Sequence, residues 1–105
     1  FHDVPEWYIE ARVDDGVQVP AQVWRQTLAG LSEATPPTET GTIHSRTLII
    51  WGEQDDVLPR ADGNALAAAI PCSRPVVYPG SGHLVLWEQP AWVASDLTAF
   101  VSDLP

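Results

Sequence analysis

Acidic side chains and one histidine follow two apolar segments in the second half of the chain. The segment 46–51 (RTLIIW) precedes Asp55 and Asp56, and the segment 75–78 (PVVY) precedes a glycine-rich turn that carries His83. A carboxylate can orient an imidazole and stabilise its charged form, so the imidazole can act as a general base and then a general acid. The alternative is a metal site formed by Asp55, Asp56 and His83, which would need a further converging ligand.

The two apolar segments are expected to form neighbouring parallel strands, because short apolar runs rich in β-branched residues are typical of strands buried on both faces. Between them, Pro59 and Pro71 bracket a weak helical pattern over residues 60–70. A helix between two buried strands predicts parallel pairing through a right-handed crossover. Since neighbouring strands lie under about 5 Å apart, a carboxylate of the first loop (Glu53, Asp55 or Asp56) and His83 can meet where the strands end.

Helical patterns flank this unit on both sides. Residues 20–30 predict a helix that begins at Pro20, and residues 5–13 predict a second, shorter one. Residues 32–45 (SEATPPTETGTIHS) have no apolar period and are expected to form a linker. After the histidine, Pro90 opens a helix with the clearest apolar stripe in the chain. The stripe consists of Val93, Leu97, Phe100, Val101 and Leu104.

Two short motifs frame the candidate site. Asp55 lies three residues after Gly52, which follows the first apolar segment, and the turn 80–83 (GSGH) follows the second and ends in the histidine. An acidic residue and a proline, Glu88 and Pro90, come just before the last helix. Each motif is weak alone, but their order after two strands and before an amphipathic helix is specific.

In this order the motifs make residues 46–103 resemble the C-terminal part of an α/β-hydrolase fold enzyme. The resemblance implies the α/β class, with residues 46–105 as the C-terminal strand-helix-strand-helix part of a parallel sheet. Residues 1–31 would be a helical lid remnant and residues 32–45 a linker. The resemblance also implies that Asp55 is the acid and His83 the base of a catalytic triad.

The sequence lacks one part of the family's catalytic triad, the turn that carries the nucleophile. In this family it lies in a G-x-S-x-G turn or its Asp or Cys equivalent, whereas Ser81 stands just before the histidine, in a different context. We therefore expect the complete enzyme to hydrolyse an ester or related bond, and these 105 residues alone to be inactive. A non-catalytic interaction module of the same fold is the alternative function. No metal or organic cofactor is implied.

Three apolar residues are candidates for substrate contact in the complete enzyme. Trp24 belongs to the lid segment, and Leu84 and Val85 directly follow His83. We expect a small-molecule substrate, which the composition alone does not identify.

Simpler roles are expected for other conspicuous residues. Glu53 and Asp56 fit solvated turn positions, and Glu88 fits the positive end of the last helix. Cys72 is expected to be a small buried or half-buried residue, because no basic partner is near it in sequence to activate the thiol.

The composition narrows the function further. The chain contains no Met and begins with Phe1, so it is expected to be the tail of a longer protein. Five Arg, no Lys and 14 acidic residues give a net charge of −9, which argues against nucleic-acid binding and against binding to anionic membranes. No apolar run approaches the roughly 20 residues that span a bilayer.

The remaining expectations concern location and partners. A single cysteine, Cys72, excludes an internal disulfide and fits a cytoplasmic location. The absence of Lys and the abundance of Ala suggest a bacterial source with a GC-rich genome. Because two strands alone leave apolar faces uncovered, we expect the chain to pair with its missing N-terminal part or with another chain.

Overall fold

The computed structural model describes residues 4–40 and 42–104, in which six helices accompany a two-stranded sheet. Phe1–Asp3 of the predicted lid segment, Gly41 of the predicted linker and Pro105 lie outside the described residues. The elements in chain order are α1 (Glu6–Gln18), α2 (Ala21–Glu33), α3 (Pro37–Thr40), β1 (Thr47–Gly52), α4 (Arg60–Ala69), β2 (Ser73–Tyr78), α5 (Val85–Glu88) and α6 (Pro90–Ser102).

The strands β1 and β2 pair in parallel, with α4 between them in sequence, as the apolar pattern predicts. Their register runs from Thr47 opposite Ser73 to Gly52 opposite Tyr78. Both strands therefore end at the same level, and the loops that follow them leave the same edge of the sheet. The strand-helix-strand-helix order of the second half is confirmed.

A small core lies where the sheet meets α4 and α6. Its buried apolar residues, among those described, are Ile49, Ile70, Tyr78 and Val93. The Tyr78 hydroxyl donates a 2.7 Å hydrogen bond to Oδ2 of Asp96, which ties the end of β2 to α6. Burial, together with this bond, raises the pKa of Tyr78 to about 12. The core is thus closed by a polar link between strand and helix.

Helix α4 packs closely on β1 because it has no side chain at Gly63. A Cβ at this position would lie 2.8 Å from the Trp51 ring, and Gly63 is buried. The sequence pattern suggests only that this glycine weakens the helix, by about 1 kcal/mol relative to Ala. In the structure the same glycine allows the helix to approach the strand.

Helix α6 begins at Pro90 as predicted, but most of its apolar stripe is uncovered. Val93 is buried, whereas Leu97 is 46% and Val101 61% exposed. Phe100 is half-buried beneath the Arg46 guanidinium. The described two-stranded sheet is too narrow to cover the rest of the stripe.

The helices of the first half are longer than the sequence pattern indicates. The predicted segment 5–13 becomes α1, which continues to Gln18, where Val19 turns extended ahead of Pro20. The predicted segment 20–30 becomes α2, which ends at Glu33. The one-turn helix α3 lies inside the segment 32–45, for which we expected a linker without helix.

Candidate active site

Backbone hydrogen bonds join the two loops that follow the strands. The Glu53 N–H donates to the Tyr78 carbonyl at 3.0 Å, and the Gln54 N–H donates to the Ser81 carbonyl at 2.8 Å. These bonds continue the strand pairing beyond the sheet. They fix the distance between the acidic loop and the turn 80–83.

Glycines make this close approach sterically possible. A Cβ on Gly52 would lie 2.0 Å from the Gly82 carbonyl oxygen and 2.6 Å from that of Ser81. Gly80 adopts a positive φ of 71°, a left-handed conformation that glycine reaches without strain. The two motifs singled out in the sequence are therefore complementary surfaces of one junction.

Asp55 and His83 meet at this junction, as their positions after the two strands predict. Oδ2 of Asp55 lies 2.9 Å from Nδ1 of His83. The other carboxylate oxygen, Oδ1, accepts hydrogen bonds from the Val57 N–H at 2.9 Å and the Leu58 N–H at 3.0 Å. The Asp55 carboxylate is thus held by its own loop while it holds the imidazole.

The surroundings of this pair suit a charged acid and an accessible base. The Asp55 side chain is 7% exposed and the His83 side chain 33%. Burial alone would raise the pKa of Asp55, but the hydrogen bonds from His83, Leu58 and Val57 outweigh it and lower the pKa below its ordinary value of 3.8. Asp55 is therefore ionised at neutral pH. Because the carboxylate occupies Nδ1, His83 would exchange protons with a reacting group through Nε2.

Two glutamates contact backbone amides of the turn 80–83. Oε2 of Glu53 accepts a 3.2 Å bond from the Gly80 N–H, and Oε2 of Glu88 accepts a 2.5 Å bond from the Gly82 N–H. Glu53 is exposed but not merely solvated as we expected. Glu88 ends α5, a one-turn helix that the sequence pattern did not indicate, and its carboxylate binds the turn 80–83.

Ser81, the serine nearest to His83 in sequence, is completely buried. Its hydroxyl has no hydrogen-bond partner among the residues that the structure describes. A buried hydroxyl in this position cannot reach a substrate, so the geometry gives Ser81 no role as a nucleophile.

One of the three predicted substrate-contact residues lines a cleft beside the histidine. Leu84 forms its wall together with residues of α1, and the cleft measures about 300 Å³. The α1 residues are Tyr8, Ile9, Arg12 and Val13. Val85 is half-buried at the start of α5 and is not part of this lining.

The third residue, Trp24, braces the two long helices of the first half instead of lining the cleft. Its indole N–H donates a 3.0 Å bond to the Gly16 carbonyl, and the side chain is 54% exposed. The amphipathic stripe of α2 indicates on which side Trp24 lies, but not that its neighbour is α1.

Aromatic contacts that the sequence analysis missed join α1 to the histidine loop. The ring of Tyr8 lies 4.3 Å from that of Trp87, and the ring of Trp7 lies 5.8 Å from it, centroid to centroid. Adjacent aromatic residues at the start of a weakly patterned helix were the only signal for this contact. The contact places α1 over α5, directly after His83.

Three further sequence predictions concern the metal alternative, Asp56 and Cys72. Among the described residues, no group of three or more His, Cys, Asp or Glu side chains is arranged to hold a metal ion. Asp56 is exposed, as expected for a solvated turn residue. Cys72 is exposed, which corrects the expectation of a buried or half-buried thiol, because it lies just beyond the end of α4.

In the part of the chain that the structure describes, no helix has the length and apolar character needed to cross a bilayer.

Comparisons with known proteins agree with this architecture. The model of the alpha/beta hydrolase family matches residues 1–96. A monoacylglycerol lipase, abhd6-A of Xenopus laevis, is 30% identical over 106 residues, which cover 96% of this chain and 31% of the lipase. The crystal structure of a predicted CIB-like hydrolase from Thermoplasma acidophilum superimposes with a TM-score of 0.57 at 35% identity, covering 59% of this chain and 30% of that one. The chain thus spans about a third of the length of these relatives.

Proposed function

We propose that this chain, which belongs to the alpha/beta hydrolase family, supplies the acid and the base of a catalytic triad that hydrolyses an ester or a related bond. The observation that carries the proposal is the 2.9 Å contact between Oδ2 of Asp55 and Nδ1 of His83, at the edge where both strands end. Ligands of parallel α/β sheets bind at such edges.

In this proposal His83 transfers the protons and Asp55 orients it. As a nucleophile oxygen attacks the carbonyl carbon of an ester, its proton passes to Nε2 of His83, and the same proton then passes to the leaving alcohol. A water molecule releases the acyl group by the same route. Asp55 fixes the tautomer that keeps Nε2 free of a proton at the start, and it stabilises the imidazolium that forms.

The nucleophile of this triad is proposed to lie outside the 105 residues. The sequence contains no G-x-S-x-G turn, and the serine beside the histidine is buried. On this proposal the chain alone is inactive. The complete natural polypeptide that carries it would hydrolyse its substrate.

The proposed substrate is a small carboxylic ester with an apolar group. The relative from Xenopus laevis is named a monoacylglycerol lipase, and the cleft beside His83 is lined mainly by apolar side chains, including Leu84. Residues 1–31, which contain α1 and most of α2, are proposed to belong to a lid, since the Tyr8–Trp87 contact holds α1 over the histidine loop. A cytoplasmic location and a bacterial source stay predictions from the composition.

Replacing either residue of the pair tests the proposal. In the complete polypeptide, we expect His83→Ala and Asp55→Asn each to lower kcat/KM for a short-chain ester at least about 1,000-fold, because both belong to one proton-transfer unit. Asp56→Asn is the matched control, since it removes the same charge from the adjacent exposed position, and it should hydrolyse the ester at nearly the wild-type rate.

An unchanged rate in His83→Ala would contradict the triad assignment. The alternative function, a non-catalytic interaction module of the same fold, draws on the many exposed apolar side chains of the described helices. It predicts that the complete polypeptide hydrolyses no ester at all. A nucleophile turn in the sequence that precedes this chain would favour the enzyme over the module.

A further inference from the structure

We propose that Glu88 is a positioning residue for His83, acting through the backbone of the turn 80–83. The inference rests on the proposed function and adds a residue to it. The group that acts is the Glu88 carboxylate. It accepts a hydrogen bond from the N–H of Gly82, the residue that directly precedes His83.

The peptide unit between Ser81 and Gly82 is held from both sides. Its carbonyl oxygen, that of Ser81, accepts a 2.8 Å bond from the Gln54 N–H, and its N–H, that of Gly82, donates to Glu88. A peptide unit is planar, so two bonds at opposite ends of the plane fix its orientation. Rotation of this plane would swing the backbone that carries His83.

The acidic loop and Glu88 therefore define the position of His83 relative to Asp55. Gln54, which binds one end of the plane, is the residue before Asp55. At the other end of the plane, the Gly82 N–H donates to the Glu88 carboxylate. The Glu88 N–H itself donates to the Leu84 carbonyl at 3.0 Å, and this bond forms the single turn of α5. The histidine thus lies within a short loop, 82–88, whose two ends are joined by the Glu88 carboxylate.

Burial makes this bond hard to replace by water. Gly82 is buried and Glu88 is half-buried, and a buried N–H that loses its acceptor is costly. The bond is also charge-assisted, which makes it shorter and stronger than a bond to a neutral acceptor. Glu53 makes the related bond to Gly80 from an exposed position and at 3.2 Å, so we expect it to contribute less.

Three substitutions separate positioning from the mere presence of a charge. Glu88→Gln keeps an oxygen acceptor at the same distance along the side chain. Glu88→Asp keeps the charge but withdraws it by one methylene group, and Glu88→Ala removes the acceptor. Glu33→Ala is the control, because it deletes an exposed acidic residue at the end of α2, away from the turn.

The variants are measured in the complete polypeptide by ester hydrolysis and by NMR of the His83 imidazole. We expect Glu88→Asp and Glu88→Ala to lower kcat about 10- to 100-fold with KM nearly unchanged, since a misplaced base slows the reaction without changing substrate binding. The downfield Nδ1 proton signal of the Asp55–His83 bond should weaken in both variants. Glu88→Gln should keep that signal and most of kcat, and Glu33→Ala should match wild type.

Several results would overturn this role. Equal losses in Glu88→Gln and Glu88→Ala would contradict the role, because an acceptor oxygen in the same place would then fail to position His83. A folded Glu88→Asp variant with wild-type kcat and an intact Nδ1 signal would also contradict the positioning role, even if Glu88→Ala failed to fold. If His83→Ala hydrolysed esters normally, the triad would be wrong, whereas the NMR signal would still report whether Glu88 positions the imidazole.

Discussion

At the scale of single residues, Asp55 serves the loop and the site with one carboxylate. Oδ1 holds the backbone at Val57 and Leu58, while Oδ2 holds His83. Both sets of bonds favour the ionised form, and they outweigh the burial that opposes it. The charge that would support catalysis therefore also stabilises the loop.

This coupling predicts an acid-dependent contribution to stability. The pKa of Asp55 is lowered in the folded chain, so its contribution is complete above about pH 3.8 and is lost as the pH falls through the lower folded value. At neutral pH, we expect Asp55→Asn to lower the free energy of unfolding by about 1–3 kcal/mol. Denaturant unfolding of both proteins should show this difference narrowing below about pH 3.8. A difference that stays constant on acidification would contradict the coupling.

The residues of the site differ in how far sequence could predict them. Parallel strand ends meet, so an acid of the first loop was expected near His83, and the resemblance singled out Asp55 because it stands three residues after Gly52. The contact of Glu88 was not predictable, because it depends on α5, and a single helical turn leaves no periodic pattern. Trp24 shows the same limit, since an apolar stripe identifies a face and not the neighbour that it meets.

At the scale of elements, the junction after β1 and β2 depends on a glycine that the sequence motif already contains. We expect Gly52→Ala to lower the free energy of unfolding by about 1–3 kcal/mol or more, as overpacking does, because its Cβ would overlap the Ser81 and Gly82 carbonyl oxygens. The same change should separate Asp55 from His83 and weaken their Nδ1 proton signal.

Gly30→Ala is the matched control for this change. Nothing lies within 4 Å of a Cβ at Gly30, which stands inside α2, so alanine should stabilise the chain by about 0.5–1 kcal/mol through helix propensity. Urea unfolding of both variants measures the two effects. A Gly52→Ala protein as stable as Gly30→Ala would mean that the two loops are not in close contact.

At the scale of the whole molecule, exposed apolar side chains favour association between copies of the chain, whereas the net negative charge opposes it. The described core contains four buried apolar residues, whereas three members of the α6 stripe, Leu97, Val101 and Leu104, are exposed. The periodic pattern correctly identified this helix. It could not show that the stripe stays uncovered, because burial depends on a second layer that the pattern of one helix does not encode. The net charge of −9 opposes contact between such surfaces on different copies of the chain.

This balance predicts that the isolated 105-residue chain associates with itself, and that salt strengthens the association. Added salt screens the repulsion between acidic copies over about 10 Å at 0.1 M, while apolar contact between exposed side chains is left in place. Sedimentation velocity over a range of protein and salt concentrations should show larger species at higher salt. Val101→Ser, which makes a 61% exposed position of α6 polar, should weaken the association, whereas Ala99→Ser on the opposite side of the same helix should not. A chain that dissociates as salt rises would instead be held together by ion pairs, because screening weakens attraction between opposite charges just as it weakens repulsion between like ones.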